Sequence, residues 1–268
     1  MNAESIWKDI IRVRDDAPLI HNITNYVAMN VTANALLAIG ASPVMAHAIE
    51  EVEDMVAISS TLVINIGTLS KLWVEAMFLA AEAARKKGLR IVFDPVGAGA
   101  TRYRTETSLR FISEFRPAIV RGNATEIISL IQPRIGTRGV DSRHGSDKAV
   151  SDAFELSDAY GCIISVSGAV DRIIFGNKMV KVANGHVLMS RVTGLGCTAS
   201  ALTGAFAAVN PSPFEAAVSA MAVMGIAGEM AAEKAEGPGS FQVRFLDALF
   251  GMTEEDIRSR LLISTESR

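Results

Sequence analysis

The stretch TGLGCTASALTGAFAAV, from Thr193 to Val209, sets two glycines and a thiol directly ahead of an apolar, alanine-rich segment of helical length. Gly194 and Gly196 remove side chains from the turn, so its backbone N–H groups can converge, and the following helix adds the positive end of its dipole. Gly194, Gly196 and Cys197 thus read as an anion hole. A thiol at a helix N-terminus has its pKa lowered from about 8.5 toward neutrality, which makes Cys197 a proton acceptor or a nucleophile. The plain alternative is a small buried hydrophobe, the usual state of a free cysteine. Cys162, inside an apolar run, fits that alternative better.

Other groups fall at the ends of β-branched runs. IVFDPVGAG ends its run with Asp94, then Pro95 and a glycine loop; IVRGNATEI ends with Arg121, Gly122 and Asn123, with Glu126 three residues on; ISVSGAVDR ends with Ser167 and Gly168. Glu126, one turn into a helix, would set an oxygen beside Asp94, and the two acids suit a hydrated Mg²⁺ held directly or through its waters. Arg121 suits a phosphate. Each residue also has an ordinary use: Asp94 as a turn former before proline, Asn123 with Glu126 as a capping box, Arg121 as the partner of a surface acid. Their coincidence at successive strand ends favours ligand binding, because open parallel sheets bind beyond the carboxyl ends of their strands.

The elements that must carry these groups are short runs bounded by turn residues. Strands are expected at 61–67, 89–95, 117–123, 162–168, 171–177 and 178–184, with helices at 69–88, 104–115 and 147–161 between the first four. Strands that are nearly all apolar, alternating with helices, indicate a mostly parallel sheet covered on both faces. The last two strands read as an antiparallel addition. After them only helices are expected, at 197–209, 213–235 and 240–250 with a short terminal piece near 253–264, making the C-terminal third a helical layer. Residues 1–268 read as one domain of the α/β class, with the polar stretch from Gln132 to Asp147 a long surface loop.

Composition removes several classes of function. A net charge of −3 gives no basic field for sequence-independent nucleic-acid binding. Two cysteines, without CxxC or Cys/His metal spacing, suggest a reducing cytoplasm. The N-terminal residues mix acids and bases through their apolar positions and lack a signal-peptide core. The apolar region from Cys197 to Met230 is interrupted by NPSPFE, so buried helices are expected there in place of a membrane span. TGLGCTASA is not the dinucleotide fingerprint, and no P-loop motif occurs.

Taken together, TGLGCTASA, FDPVGAGATRYR, RGNATEI and the early LIHNITNYVAMNVTANALLAIGASPVM closely resemble the hydroxyethylthiazole kinase family of the ribokinase-like superfamily, over about Pro18 to Phe250. The resemblance implies a three-layer α/β/α fold, transfer of the ATP γ-phosphoryl group to 4-methyl-5-(2-hydroxyethyl)thiazole with Mg²⁺, and a homotrimer with sites at subunit contacts. It implies Met45 and Gly194 as substrate contacts, with Asn25 and the backbone near Val27 beside them. It also implies Arg121 and Ser167 as ATP contacts, and Asp94 and Glu126 near metal and phosphates. Read without it, Thr24 and Asn25 are helix caps and Met45 is core packing, although a thioether also suits a flat sulfur heterocycle. Related kinases of the superfamily carry an aspartate base where this chain has Cys197. Three other activities stay open: a thiol hydrolase or acyl transferase, which would need one of the four histidines near Cys197; a non-catalytic thiazole-binding protein; and a ribokinase-like kinase of another heterocyclic alcohol such as hydroxymethylpyrimidine.

Overall fold

Apolar strands need cover on both faces, and the intervening helices supply it. The computed structural model of the protein describes residues 1–132 and 144–267. Its strands are β1 (Leu19–Ile23), β2 (Ser42–Val44), β3 (Thr61–Asn65), β4 (Ile91–Asp94), β5 (Ile119–Asn123), β6 (Ile163–Ser167), β7 (Asp171–Phe175), β8 (Lys178–Val182) and β9 (Ile263–Ser267). Its helices are α1 (Ala3–Asp16), α2 (Met29–Ile39), α3 (Val52–Ile58), α4 (Lys71–Lys87), α5 (Arg102–Phe115), α6 (Ala124–Ile131), α7 (His144–Tyr160), α8 (Leu195–Val209), α9 (Pro213–Ala232), α10 (Pro238–Gly251) and α11 (Glu254–Arg260).

The strands form one sheet in the order β2-β1-β3-β4-β5-β6-β7-β8-β9. From β2 to β6 every pairing is parallel, and β7, β8 and β9 are added antiparallel. Side chains alternate across it, as the two-residue period of a strand requires. Val63, Val92, Ile119 and Ile163 enter a core shared with α1, α2, α8, α9 and α10. Leu62, Ile64, Phe93, Val120 and Ile164 enter the opposite core, shared with α3 to α7. The architecture is the three-layer α/β/α arrangement expected.

The small residues of α8 let it sit close to the sheet. A Cβ on Gly204 would lie 2.5 Å from Val63 Cγ2, and the Thr61 hydroxyl donates to the Gly204 carbonyl at 3.0 Å. This seating brings the first turns of α8 to the carboxyl ends of the central strands, where Ser200 meets Asp94.

Some expectations need correction. The chain does not run to its end in helices: after α11 it returns as β9, paired with β8 from Val182–Ile263 to Lys178–Ser267. The reason is the free edge of β8, whose unpaired backbone groups accept one more strand even when that strand is polar. Strands β1 and β2 also precede the first strand expected, and His21 and Asn22 lie buried within β1. Helix α9 does reach the length and apolar character of a membrane span, yet 78% of its apolar window is buried in the protein. Of the stretch read as a loop from Gln132 to Asp147, residues 133–143 lie outside the described residues, and α7 takes up its last four.

Candidate active site

The central strands end side by side, with Asn65 in register with Asp94 and Asn123 with Ser167. Asp94 is 2% exposed. Its Oδ2 accepts from Asn65 Nδ2 at 2.8 Å and from Ser200 Oγ at 2.6 Å. Burial pushes this carboxyl up to about 7, against the pull of Arg121 and with a further push from Glu126.

Glu126 makes the capping box its spacing suggested. Its Oε2 accepts the Asn123 N–H at 2.8 Å, and its own N–H donates to Asn123 Oδ1 at 3.0 Å. The same side chain reaches across to the loop after β4, where the Gly97 N–H donates to Oε1 at 2.8 Å. Burial raises its pKa, and the two backbone donors and Arg121 oppose that rise. The capping role and a role at the strand ends therefore coexist in one residue.

These two acids bear on the metal. Among the described residues no group of three or more His, Cys, Asp or Glu side chains could hold an ion. Asp94 Oδ1 takes no hydrogen bond from the described residues, and each Glu126 oxygen keeps a second lone pair. Two carboxylates with such vacancies fit a hydrated Mg²⁺ that keeps most of its waters, and not an ion enclosed by protein.

Arg121, on β5, is 7% exposed. Its Nε is buried without a hydrogen-bond partner, and among the described residues no acid comes within ion-pair distance of it. An unpaired buried cation is costly, and an anion in the adjoining cavity would relieve that cost. It lines a cavity of about 620 Å³ together with the polar Asn123 and Ser167, Gly196, and the apolar Leu195, Ala199, Met221 and Met224. Ser167 Oγ donates to the Gly122 carbonyl at 3.3 Å and faces this space from β6. A Cβ on Gly196 would lie 3.9 Å from Arg121 Nη1, so the missing side chain leaves the approach to the guanidinium open.

Gly194 is the N-cap of α8 at φ 84°, in the left-handed region where glycine is favoured. A side chain there would also meet Val31 Cγ1 at 2.9 Å. Cys197 follows as the third residue of α8, half-buried. Its thiol does not have the lowered pKa expected. Burial raises it and Asp94 raises it further, while Asn25, Asn65 and Arg121 act the other way. Desolvation and a neighbouring carboxylate outweigh the helix end. Cys162 is fully buried and its thiol is pushed up to about 12, as an inert core residue should be.

Asn25 is buried against Cys197, with Nδ2 donating to Sγ at 3.2 Å, and its Oδ1 accepts the Ala28 N–H at 3.0 Å. This second bond closes the turn ahead of α2, but the N-cap of α2 is Ala28, without a side-chain cap bond, so neither Thr24 nor Asn25 caps the helix as expected. Among the described residues no hydrogen bond joins Met45 or Val27 to this cluster. Met45 is half-buried immediately after β2, and the next helix begins only at Val52; Val27 is 66% exposed. The segment after Met45 is anchored by His21 Nε2, 2.8 Å from the Ala46 carbonyl.

Sequence reading missed Asn65, Ser200 and Arg104. Asn65 could have been found as the polar terminus of β3, the counterpart of Asp94 on β4. Arg104 binds the Ile66, Gly67 and Val96 carbonyls and so clamps the loops after β3 and β4 together. An aromatic group also escaped notice: Trp73 packs between Tyr26 and His47, at centroid distances of 4.8 and 4.5 Å. A separate groove of about 680 Å³ between α4 and α5 shares no residue with the strand ends. Its charges are largely satisfied by the pairs Arg85–Glu82 and Arg110–Glu114.

Residues 10–255 match the model of the hydroxyethylthiazole kinase family. A hydroxyethylthiazole kinase of Syntrophus aciditrophicus is 58% identical over 97% of both chains, and one of Leptospira biflexa is 56% identical over 95% of both. A solved structure of a hydroxyethylthiazole kinase protein from Pyrococcus horikoshii superposes with a TM-score of 0.91 at 44% identity, covering 98% of this chain and all of that one. A pyridoxal kinase of Staphylococcus aureus solved with ADP, at TM-score 0.61 and 18% identity over 80% of this chain and 88% of its own, shares the ribokinase-like fold alone.

Proposed function

The chain belongs to the hydroxyethylthiazole kinase family, and from that premise we propose that residues 1–268 form one kinase domain that transfers the ATP γ-phosphoryl group to the primary hydroxyl of 4-methyl-5-(2-hydroxyethyl)thiazole in thiamin salvage. The observation that carries this reading is the unpaired, buried Arg121 lining the same cavity as the glycine-opened start of α8. Phosphoryl transfer needs positioning and stabilisation of charge more than covalent chemistry. Arg121 and the first N–H groups of α8 stabilise the phosphate oxygens, and Ser167 helps to orient the nucleotide. The apolar lining residues Met221 and Met224 would pack against the base.

Asp94 and Glu126 would hold the hydrated Mg²⁺, which when bound neutralises phosphate charge. Asn25, the Val27 backbone, Met45 and Gly194 contact the thiazole alcohol. Cys197 accepts the hydroxyl proton. Only the thiolate can take that proton, and because the thiol is raised above its ordinary value that form is the minor one near neutrality, so such general-base assistance lies at the low end of about 10²–10⁴-fold.

The assay is ADP release with Mg²⁺ and a panel of alcohols. ATP is expected to be consumed with hydroxyethylthiazole; faster release with hydroxymethylpyrimidine would overturn the substrate assignment, and thiazole binding without ADP release would make the protein a non-catalytic binder.

The assembly proposed is a homotrimer with its sites at subunit contacts, in the cytosol. Tyr26 and Val27 are 64% and 66% exposed although the adjoining Asn25 is buried at the site, and a neighbouring subunit would cover such apolar surface. Two free cysteines accord with a reducing compartment. Light scattering at assay concentration is expected to give three times the chain mass. A fully active monomer would rule out shared pockets.

A further inference from the structure

Asn65 occupies a place that phosphate binding alone does not account for. It ends β3, is 1% exposed and stands in register with Asp94. Its Nδ2 donates to Asp94 Oδ2 at 2.8 Å, and its Oδ1 accepts from the Gly67 N–H and from Asn25 Nδ2, each at 2.9 Å. Asn25 is committed in the same manner: Oδ1 accepts from the Ala28 N–H, and Nδ2 donates both to Asn65 Oδ1 and to Cys197 Sγ.

A side-chain amide can be turned over, exchanging its donor and acceptor ends. Here both amides have their direction dictated. A carboxylate oxygen accepts and a backbone N–H donates, so Asp94 requires the nitrogen of Asn65 and Gly67 requires its oxygen. That oxygen takes its second donor from Asn25, whose own oxygen is already held by the Ala28 N–H. The nitrogen of Asn25 is therefore the end that meets the sulfur. Gly67 also makes room for this arrangement, since a Cβ there would lie 2.6 Å from Asn25 Nδ2.

We propose that Asn65 is a positioning residue: its oxygen, fixed by the Gly67 N–H, acts with the Ala28 N–H to hold the Asn25 amide in one direction, so that an N–H donor rests on the sulfur of Cys197. The kinetic consequence of this rests on the proposed role of Cys197 as proton acceptor; the arrangement itself does not. A donor on the sulfur stabilises the thiolate. The charged groups acting on the sulfur are Asp94 of β4, which disfavours the thiolate, and Arg121 of β5, which favours it; Glu126 of α6 stands behind Asp94.

The test is the pH profile of Cys197 alkylation by iodoacetamide in the full-length protein without nucleotide; buried Cys162 stays silent. Removing the donor leaves the thiolate less stable, so the midpoint moves up. Asn65→Leu and Asn25→Leu are each expected to raise it by about one pH unit, the scale of one hydrogen bond to a charged group. The double variant should move by less than the sum of the two single shifts, because Asn65 orients Asn25 as well as favouring the thiolate itself. Gly67→Ala, which crowds the Asn25 amide from the facing loop, is expected to shift the midpoint the same way and serves if Asn65→Leu does not fold. A wild-type profile in Asn65→Leu or Gly67→Ala, or full additivity in the double variant, would overturn the inference. Turnover of Asn65→Leu should fall about tenfold with the KM for ATP unchanged. A shifted midpoint with undiminished turnover would uphold the positioning role and remove the base assignment of Cys197.

Discussion

Arg121→Ala is expected to lower kcat/KM for ATP by about 10²-fold, the upper range for one buried hydrogen bond to a charged group. The loss should fall on ATP and leave binding of the thiazole alcohol nearly intact, because Arg121 lines the cavity with Ser167 and Gly196 and shares no hydrogen bond with Asn25 or Cys197. Arg121→Lys should recover only part of it, since an ammonium keeps the charge and loses the planar fork that matches a phosphate. The variant should also remain folded, because among the described residues no ion pair is broken when the guanidinium goes. Removing Arg121 takes away a charge that favours ionised Asp94 and Glu126, so both carboxyls should titrate at still higher pH. Initial rates over an ATP series check the first effect, and unchanged ATP dependence would make Arg121 a structural residue of β5.

Cys197→Ala is expected to lose on the order of 10² in turnover, with the phosphate-binding groups still in place. Cys197→Asp should do better than alanine, because a carboxylate restores a proton acceptor where related kinases carry one. Cys197→Ser should behave as alanine, its hydroxyl being too weakly basic. Wild-type pH dependence follows from the raised thiol: a base that is mostly protonated at pH 7 gives turnover that climbs with pH, and loss of the sulfur should flatten that climb. In Cys197→Asp the new carboxylate inherits the burial and the nearby Asp94 that raise the thiol. Its pKa also moves up, but from a much lower starting value, so its activity should already be developed at neutral pH. A nucleophilic cysteine would respond otherwise, with aspartate and alanine equally inactive and a covalent adduct visible by intact mass during turnover. Equal turnover in Cys197→Asp and Cys197→Ala, both folded and binding thiazole, would leave the cysteine as a packing residue of α8.

Much of the fold was written in local pattern. The runs ending in Asp94, Arg121 and Ser167 became adjacent parallel strands because apolar β-branched segments between helix-length segments have few other ways to bury both faces. The turn at Gly194 was equally legible, since a positive φ ahead of a helix selects glycine. Strand β1 was hidden because His21 and Asn22 break its apolar run, and the buried His21 ring finds its partner only at the Ala46 carbonyl, 25 positions on. Strand β9 was hidden because ISTES is polar and pairs only where β8 offers a free edge. What the sequence by itself determined, then, was which residue types stand at strand ends and helix starts, since those are properties of neighbouring positions. Only the tertiary structure decided their chemical state. The chain of amides from Asp94 through Asn65 and Asn25 to Cys197 joins residues 29, 40 and 172 positions apart, and the thiol rises where the helix end alone would lower it. Burial and the field of a distant carboxylate are sums over the whole packed molecule, and no local pattern contains them.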